Sequence, residues 1–139
     1  MDLRGENCME RRNISSGAKW EPIVGYSRAV RVGPWVAVAG KTAVDEEGLD
    51  IASRDAYGQA VYILRKIENA LTKAGARLDD VVRTRIFLAS MDDWQAVGRA
   101  HAEFFRDIRP ASTMVQVGRL VDSNLLVEIE ADAIIPESS

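Results

Sequence analysis

Leu126-Val127-Glu128-Ile129-Glu130-Ala131-Asp132-Ala133 decides how this chain folds. Apolar and acidic residues alternate through it, and alternate side chains of an extended strand leave opposite faces. One face therefore carries Glu128, Glu130 and Asp132, and the other Val127, Ile129, Ala131 and Ala133. Val81-Val82-Arg83-Thr84-Arg85-Ile86-Phe87-Leu88 has the same parity with the opposite charge. Arg83, Arg85 and Phe87 share one side; Val82, Thr84, Ile86 and Leu88 share the other. If the two strands are neighbours, their charged faces can pair at roughly 0.2–1 kcal/mol per favourable pair. Arginine suits partly buried pairing better than lysine. The charged face reads either as a solvated outer surface or as an interface in which copies of the sheet meet with a ligand in the seam. Parity leaves both open.

The apolar faces need a cover, and the flanking sequence supplies it. Tyr57, Ala60, Val61, Leu64, Ile67, Leu71 and Ala74 recur at spacings of three and four, the stripe of an α-helix. Ser53 or Asp55 can cap its start and Gly75 can end it. Trp94, Val97, Ala100, His101, Phe104 and Phe105 form a second stripe within residues 91–106, and Pro110 prevents its continuation. Residues 28–32 and 35–41 flank Gly33-Pro34 and read as a hairpin. Residues 44–53, with Asp45-Glu46-Glu47-Gly48, read as a loop, and residues 113–117 and 125–135 as the closing strands. The order β-β-α-β-α-β-β predicts an α+β fold: a single-layer, mostly antiparallel sheet with two helices on one face. Residues 1–11 are polar and aperiodic and read as a flexible leader before one domain over 12–139, with Met9 as an alternative start.

Composition bounds the function. A chain of 139 residues with 47% hydrophobic and 28% charged residues can bury a core without staples. The one Cys, Cys8, excludes an internal disulfide framework and a multi-Cys zinc site, and the one His leaves carboxylates as nearly the only metal ligands, so no metal is expected. No apolar run approaches the ~20 residues of a membrane helix. The start, Met1-Asp2-Leu3-Arg4-Gly5-Glu6, lacks the apolar segment of a signal peptide, so a cytoplasmic location is expected. A net charge of -3 and the lack of a basic stripe argue against nucleic acid as partner.

Several segments resemble one family. Gly25-Tyr26-Ser27-Arg28-Ala29-Val30 is similar to its Gly-Pro-Tyr-Ser-x-Ala-Val opening, and Val38-Ala39-Gly40-Lys41 to its Ser-Gly-Gln segment. Ala74-Gly75-Ala76, followed by Leu78 and Asp80-Val81-Val82, is similar to its link from first helix to next strand. Arg109-Pro110-Ala111-Ser112-Thr113 resembles its Pro-Ala-Arg-Ser/Thr signature, and Val127-Glu128-Ile129-Glu130-Ala131 its last strand. The family is the reactive intermediate deaminases (RidA, YjgF-like), once labelled translation inhibitors or L-PSP endoribonucleases. The resemblance spans about residues 12–135. It implies a chorismate-mutase-like fold of the trimeric type and a homotrimer with clefts between subunits. It also implies cofactor-free hydrolysis of a small imine or enamine to a keto acid and ammonia.

Carried over by position, Glu128 matches the catalytic Glu, and Tyr26 and Gly40 match cleft residues. Ala39 and Lys41 stand at the family's Ser and Gln, and Gly98 at a helix Asn that lines the cleft. Ser112 stands at the Arg that binds the substrate carboxylate. An Arg gives a carboxylate two parallel charged donors. A loss of about 3 kcal/mol from such a pair weakens binding by roughly two powers of ten.

Three readings of that replacement stay open. Another cation, from Arg28, Lys41, Arg85 or Arg99, supplies the clamp. Or the substrate lacks a carboxylate, and Ser112 and Thr113 bind a neutral polar group. Or the chain is a non-catalytic ligand-sensing or protein-interaction trimer. His101, the only His, sits on the apolar stripe one turn after Gly98 and reads either as a packed side chain or as one that reaches the cleft.

Overall fold

The computed structural model describes residues 10–137; Cys8 and Met9 lie outside them. One six-stranded sheet runs in the order β1-β2-β3-β6-β4-β5. Its strands are β1 (Arg11–Ile14), β2 (Ala29–Val32), β3 (Trp35–Lys41), β4 (Val81–Leu88), β5 (Ala111–Gln116) and β6 (Val127–Ile134). All neighbours are antiparallel except β4 and β5, which run parallel because α2 (Trp94–Phe105) crosses between them. The strands from the two alternating segments, β4 and β6, are direct neighbours. The expected α+β architecture, with both helices on one face, is the observed one.

α1 (Ala56–Lys73) starts where Asp55 accepts a hydrogen bond from the Gly58 N–H at 2.9 Å. It ends at Gly75, whose φ of +87° suits only glycine well. Its stripe of Ala60, Ile63, Leu64, Ile67 and Leu71 is fully buried against Val36, Ile86, Leu88, Val127, Ile129 and Ala133 from the sheet. Each such Leu or Ile contributes about 1.5–3 kcal/mol. Two arginines of the sheet satisfy carbonyls at the end of α1: Arg31 Nη1 donates to Ala74 O at 2.7 Å and Arg12 Nη2 to Lys73 O at 3.2 Å. Val97, Ala100 and Phe105 anchor α2 in the same core.

Three local features differ from the sequence reading. Arg11 and Arg12 belong to strand β1, paired with Val32 and Arg31. The second helix begins with a separate 3₁₀ turn over Met91–Asp93. Trp94, read as part of the buried stripe, is the first residue of α2 and is 51% exposed.

Candidate functional site

The geometry around Glu128 starts with a bulge. Between the pairs Val38–Ala131 and Lys41–Ile129, β3 spends two residues, Ala39 and Gly40, where β6 spends one. The bulge and the missing side chain of Gly40 let the Glu128 carboxylate lie directly over the β3 backbone; a Cβ on Gly40 would overlap Oε2. Glu128 is half-buried, and its cross-strand partner on β4 is Phe87, not an arginine. Among the described residues it forms no ion pair. Burial, and then the neighbouring negative charge of Glu130, push its pKa up.

The cations named from the sequence are held elsewhere. Arg85 Nη1 lies 3.3 Å from Asp132 Oδ2 and 3.8 Å from Glu130 Oε1, the cross-strand pairing that parity suggested. Arg28 Nε donates to Ser16 Oγ at 2.8 Å and lies 3.6 Å from Glu21 Oε2, with its guanidinium 5.8 Å from the Tyr26 ring centre. Arg99 stacks over Tyr57 at 4.4 Å. Lys41 shares the face of its partner Ile129 and is 2% exposed, on the helix side. Its Nζ donates to Arg28 O at 3.1 Å. Burial, reinforced by the charges of Arg28 and Lys66, pushes its pKa down to about 7.

Tyr26 lines a cleft of about 680 Å³ on the outer face of the sheet with Asn13, Ala37, Ala39, Glu130 and Asp132. A π-helical turn over Glu21–Gly25 delivers it, closed by Tyr26 N–H donating to Glu21 O at 3.0 Å. Glu21 anchors that turn. Burial alone would raise its pKa, but hydrogen bonds from the Ser16 hydroxyl and from the Ser16 and Ala18 amides hold it at about 2.

Ser112 belongs to the other side of the sheet. It pairs in register with Thr84, whose side chain is fully buried on the helix face. Thr84 Oγ1 donates to Ser112 Oγ at 2.8 Å and lies 2.9 Å from His101 Nε2 on α2. Burial pushes the pKa of His101 down, and its ring lies 4.7 Å from that of Phe105. The imidazole also lines a second cleft, of about 500 Å³, with Phe105, Arg106, Arg109 and Pro110. One turn back, no heavy atom lies within 4 Å of where a Gly98 Cβ would stand. Thr113 is exposed and pairs with Arg85, so it faces the opposite way from Ser112.

The structure therefore brings His101 and Ser112 together, with Gly98 on the same helix, and brings Gly40 to Glu128. Tyr26 shares its cleft with Ala39, Glu130 and Asp132. Arg28 lies over the Tyr26 ring beside that cleft, whereas Lys41 and Thr113 join none of these groups. Sequence reasoning missed Thr84 as a site residue. Its signal was a hydroxyl on a strand face otherwise made of Val, Ile and Leu, in a chain with a single His. Among the described residues no group of three His, Cys, Asp or Glu is placed to hold a metal ion, and no helix is long and apolar enough to cross a membrane.

The fold and the matched segments have counterparts in known proteins. The crystal structure of Rv2704 from Mycobacterium tuberculosis, a member of the YjgF/YER057c/UK114 family, is 48% identical, with a TM-score of 0.82 over 91% of this chain and 100% of that one. The uncharacterized protein SCO2049 of Streptomyces coelicolor is 38% identical over 122 residues, 88% of this chain and 90% of that protein. The 3-aminoacrylate deaminase RutC of Acinetobacter baylyi is 36% identical over 112 residues, 81% of this chain and 88% of that enzyme. The family model described as Endoribonuclease L-PSP matches residues 17–135, nearly the whole described chain. The chain belongs to that family, the RidA/YjgF proteins with their chorismate-mutase-like fold.

Proposed function

We propose that this protein binds a small imine or enamine in clefts between copies of itself, as a cytoplasmic homotrimer, and hydrolyses it to a carbonyl compound and ammonia. Glu128 is the catalytic acid–base, and Ser112 gives the site a specificity different from that of relatives with an arginine there. The observation that carries the reading is the Glu128 carboxylate, half-buried, without a cationic partner among the described residues, and seated over Gly40.

The chemistry follows from that setting. Hydrolysis of an imine forms a bond from water oxygen to the imine carbon and breaks the carbon–nitrogen bond. One proton must leave the water and the nitrogen must gain protons to depart as ammonia. A carboxyl group whose pKa is raised can take the first proton and return it to nitrogen, a role worth about 10²–10⁴-fold in rate. An enamine needs one step more, protonation at carbon, which the protonated form of the same group can supply.

The assembly is supported by placement. Ser112 faces the helix side of the sheet and Glu128 the outer side, so one chain cannot direct both at one small molecule. A site using both needs a second copy, and the outer face, with Trp35, Phe87 and Ile134 beside the charged residues, offers the surface for it.

The test is ammonia release from a panel of imines and enamines generated in situ, with Glu128→Ala alongside. Acceleration that the variant loses supports the reading. No acceleration by the wild-type chain for any member overturns it, and a mass at the single-chain value by light scattering overturns the trimer.

A further inference from the structure

The end of α2 and the turn into β5 form the hollow of about 500 Å³, which takes no part in the proposed hydrolysis. Its lining divides by chemistry. Ala102, Phe105 and Pro110 give it apolar walls, and Phe105, 2% exposed, is fixed there by the core. Arg106 and Arg109 line it as exposed residues. Neither forms an ion pair among the described residues, unlike Arg28, Arg77 and Arg85. The nearby acids do not serve them. Glu103 accepts from the Tyr57 hydroxyl, and Asp107 is not part of the lining.

The backbone at Arg109 is the unusual feature. Its φ of +55° lies in the left-handed region, where glycine or asparagine ordinarily ends a helix. Its N–H donates to Phe105 O at 2.8 Å, and its Nε to Arg106 O at 3.2 Å. The second bond uses Nε to fix the side chain and leaves both Nη groups without a partner among the described residues. A glycine would close the same turn without strain, so the turn itself gives no reason for an arginine.

We propose that this hollow binds a small organic carboxylate, with its apolar body against Ala102, Phe105 and Pro110 and its anionic end on the guanidiniums of Arg106 and Arg109. The site goes beyond the proposed hydrolysis and does not depend on it: one chain builds it from α2 and the turn before β5, whereas Glu128 faces the other side of the sheet. A guanidinium gives a carboxylate parallel charged donors. Mostly apolar walls with a few fixed polar groups, at this volume, match what a small organic ligand requires. An inorganic anion would leave the apolar wall uncovered, and a neutral ligand would leave both cations unpaired.

Three probes test the site without turnover: benzoate, benzamide and inorganic phosphate, each titrated into the full-length protein while amide shifts are followed by NMR. Benzoate is expected to saturate, to move amides over residues 101–111, and to bind at least ten times more tightly than the other two. Arg109→Gly should lose at least tenfold in benzoate affinity with a melting temperature no lower than the wild type's, because the strain leaves with the side chain. Arg109→Gln carries the same expectation for binding should the glycine variant fail to fold. Arg106→Gln should weaken benzoate severalfold, and Arg77→Gln, which removes an exposed arginine from another turn, should leave binding unchanged. Shifts that do not saturate or that scatter over the surface overturn the proposal. So do equal affinities for benzoate and either other probe, and undiminished binding in the Arg109 variants.

Discussion

The Glu128 carboxylate rests on the α-carbon of Gly40, so the residue that lacks a side chain on β3 sets the position of the acid on β6. Gly40→Ala should push Glu128 aside while leaving the fold intact, since what must move is the end of a flexible side chain. The expected result is a melting temperature within a few degrees of wild type and ammonia release reduced by at least tenfold. Full activity in Gly40→Ala would show that the seat of the carboxylate is irrelevant to its role.

The same acid should report its neighbour. Burial and the charge of Glu130 raise the Glu128 pKa, so the acidic limb of a kcat/KM profile should lie above the ordinary carboxylate range. Glu130→Gln removes a like charge and should move that limb to lower pH. Superimposable limbs in the two proteins would mean that another group titrates.

Thr84 and His101 can be tested for coupling through stability. Thr84→Val keeps the shape of the side chain but strands the imidazole Nε2, at a cost of about 1–3 kcal/mol. His101→Phe removes one of two partners of the threonine hydroxyl, which keeps Ser112 Oγ, and should cost less. The double variant removes both partners and should cost less than the sum of the two single changes, in urea denaturation of all four proteins. Strict additivity would indicate that the 2.9 Å contact contributes no coupling.

Lys41 sets a pH dependence of stability. With its pKa pushed down to about 7 from 10.5, the folded chain binds fewer protons than the unfolded one between those values. Stability from this group therefore rises with pH across that window, and its burial penalty is fully present below about 7. Lys66, pushed down to about 8 by burial, acts in the same sense. Lys41→Met should be the more stable protein at pH 7, with an advantage that shrinks by at most about 1.4 kcal/mol per pH unit as pH rises. Parallel urea profiles for the two proteins between pH 7 and 9 would contradict this.

What the sequence disclosed follows from where local pattern carries the information. β4 and β6 were legible because a period of two fixes each face, except at Val82, read on the apolar face but 43% exposed beside a register shift, and their opposite charges could pair once the two proved to be neighbours. α1 was legible to its end at Gly75 and to a cap at Ser53 or Asp55, of which Asp55 is the one observed. β1 was not: Arg11-Arg12-Asn13-Ile14 has no alternation of its own and becomes a strand by pairing with β2. Nor was the parallel entry of β5, which the path of α2 determines. In the candidate site, Glu128 and Ser112 were named from matched segments, whereas the inward course of Lys41 depends on a bulge that shifts its face. Thr84 matters through contacts 17 and 28 residues away in the chain, beyond any local reading.

Ser112 and Glu128 leave the sheet on opposite sides, and under the proposed assembly each cleft borrows one from each of two chains. Damage to the two positions is then not additive when it is carried by different molecules. Unfolded and refolded together, a Ser112-defective chain and a Glu128-defective chain form mixed trimers in which some junctions join the intact residue of one to the intact residue of the other. Two impaired preparations, combined, regain activity beyond the sum of what each has alone.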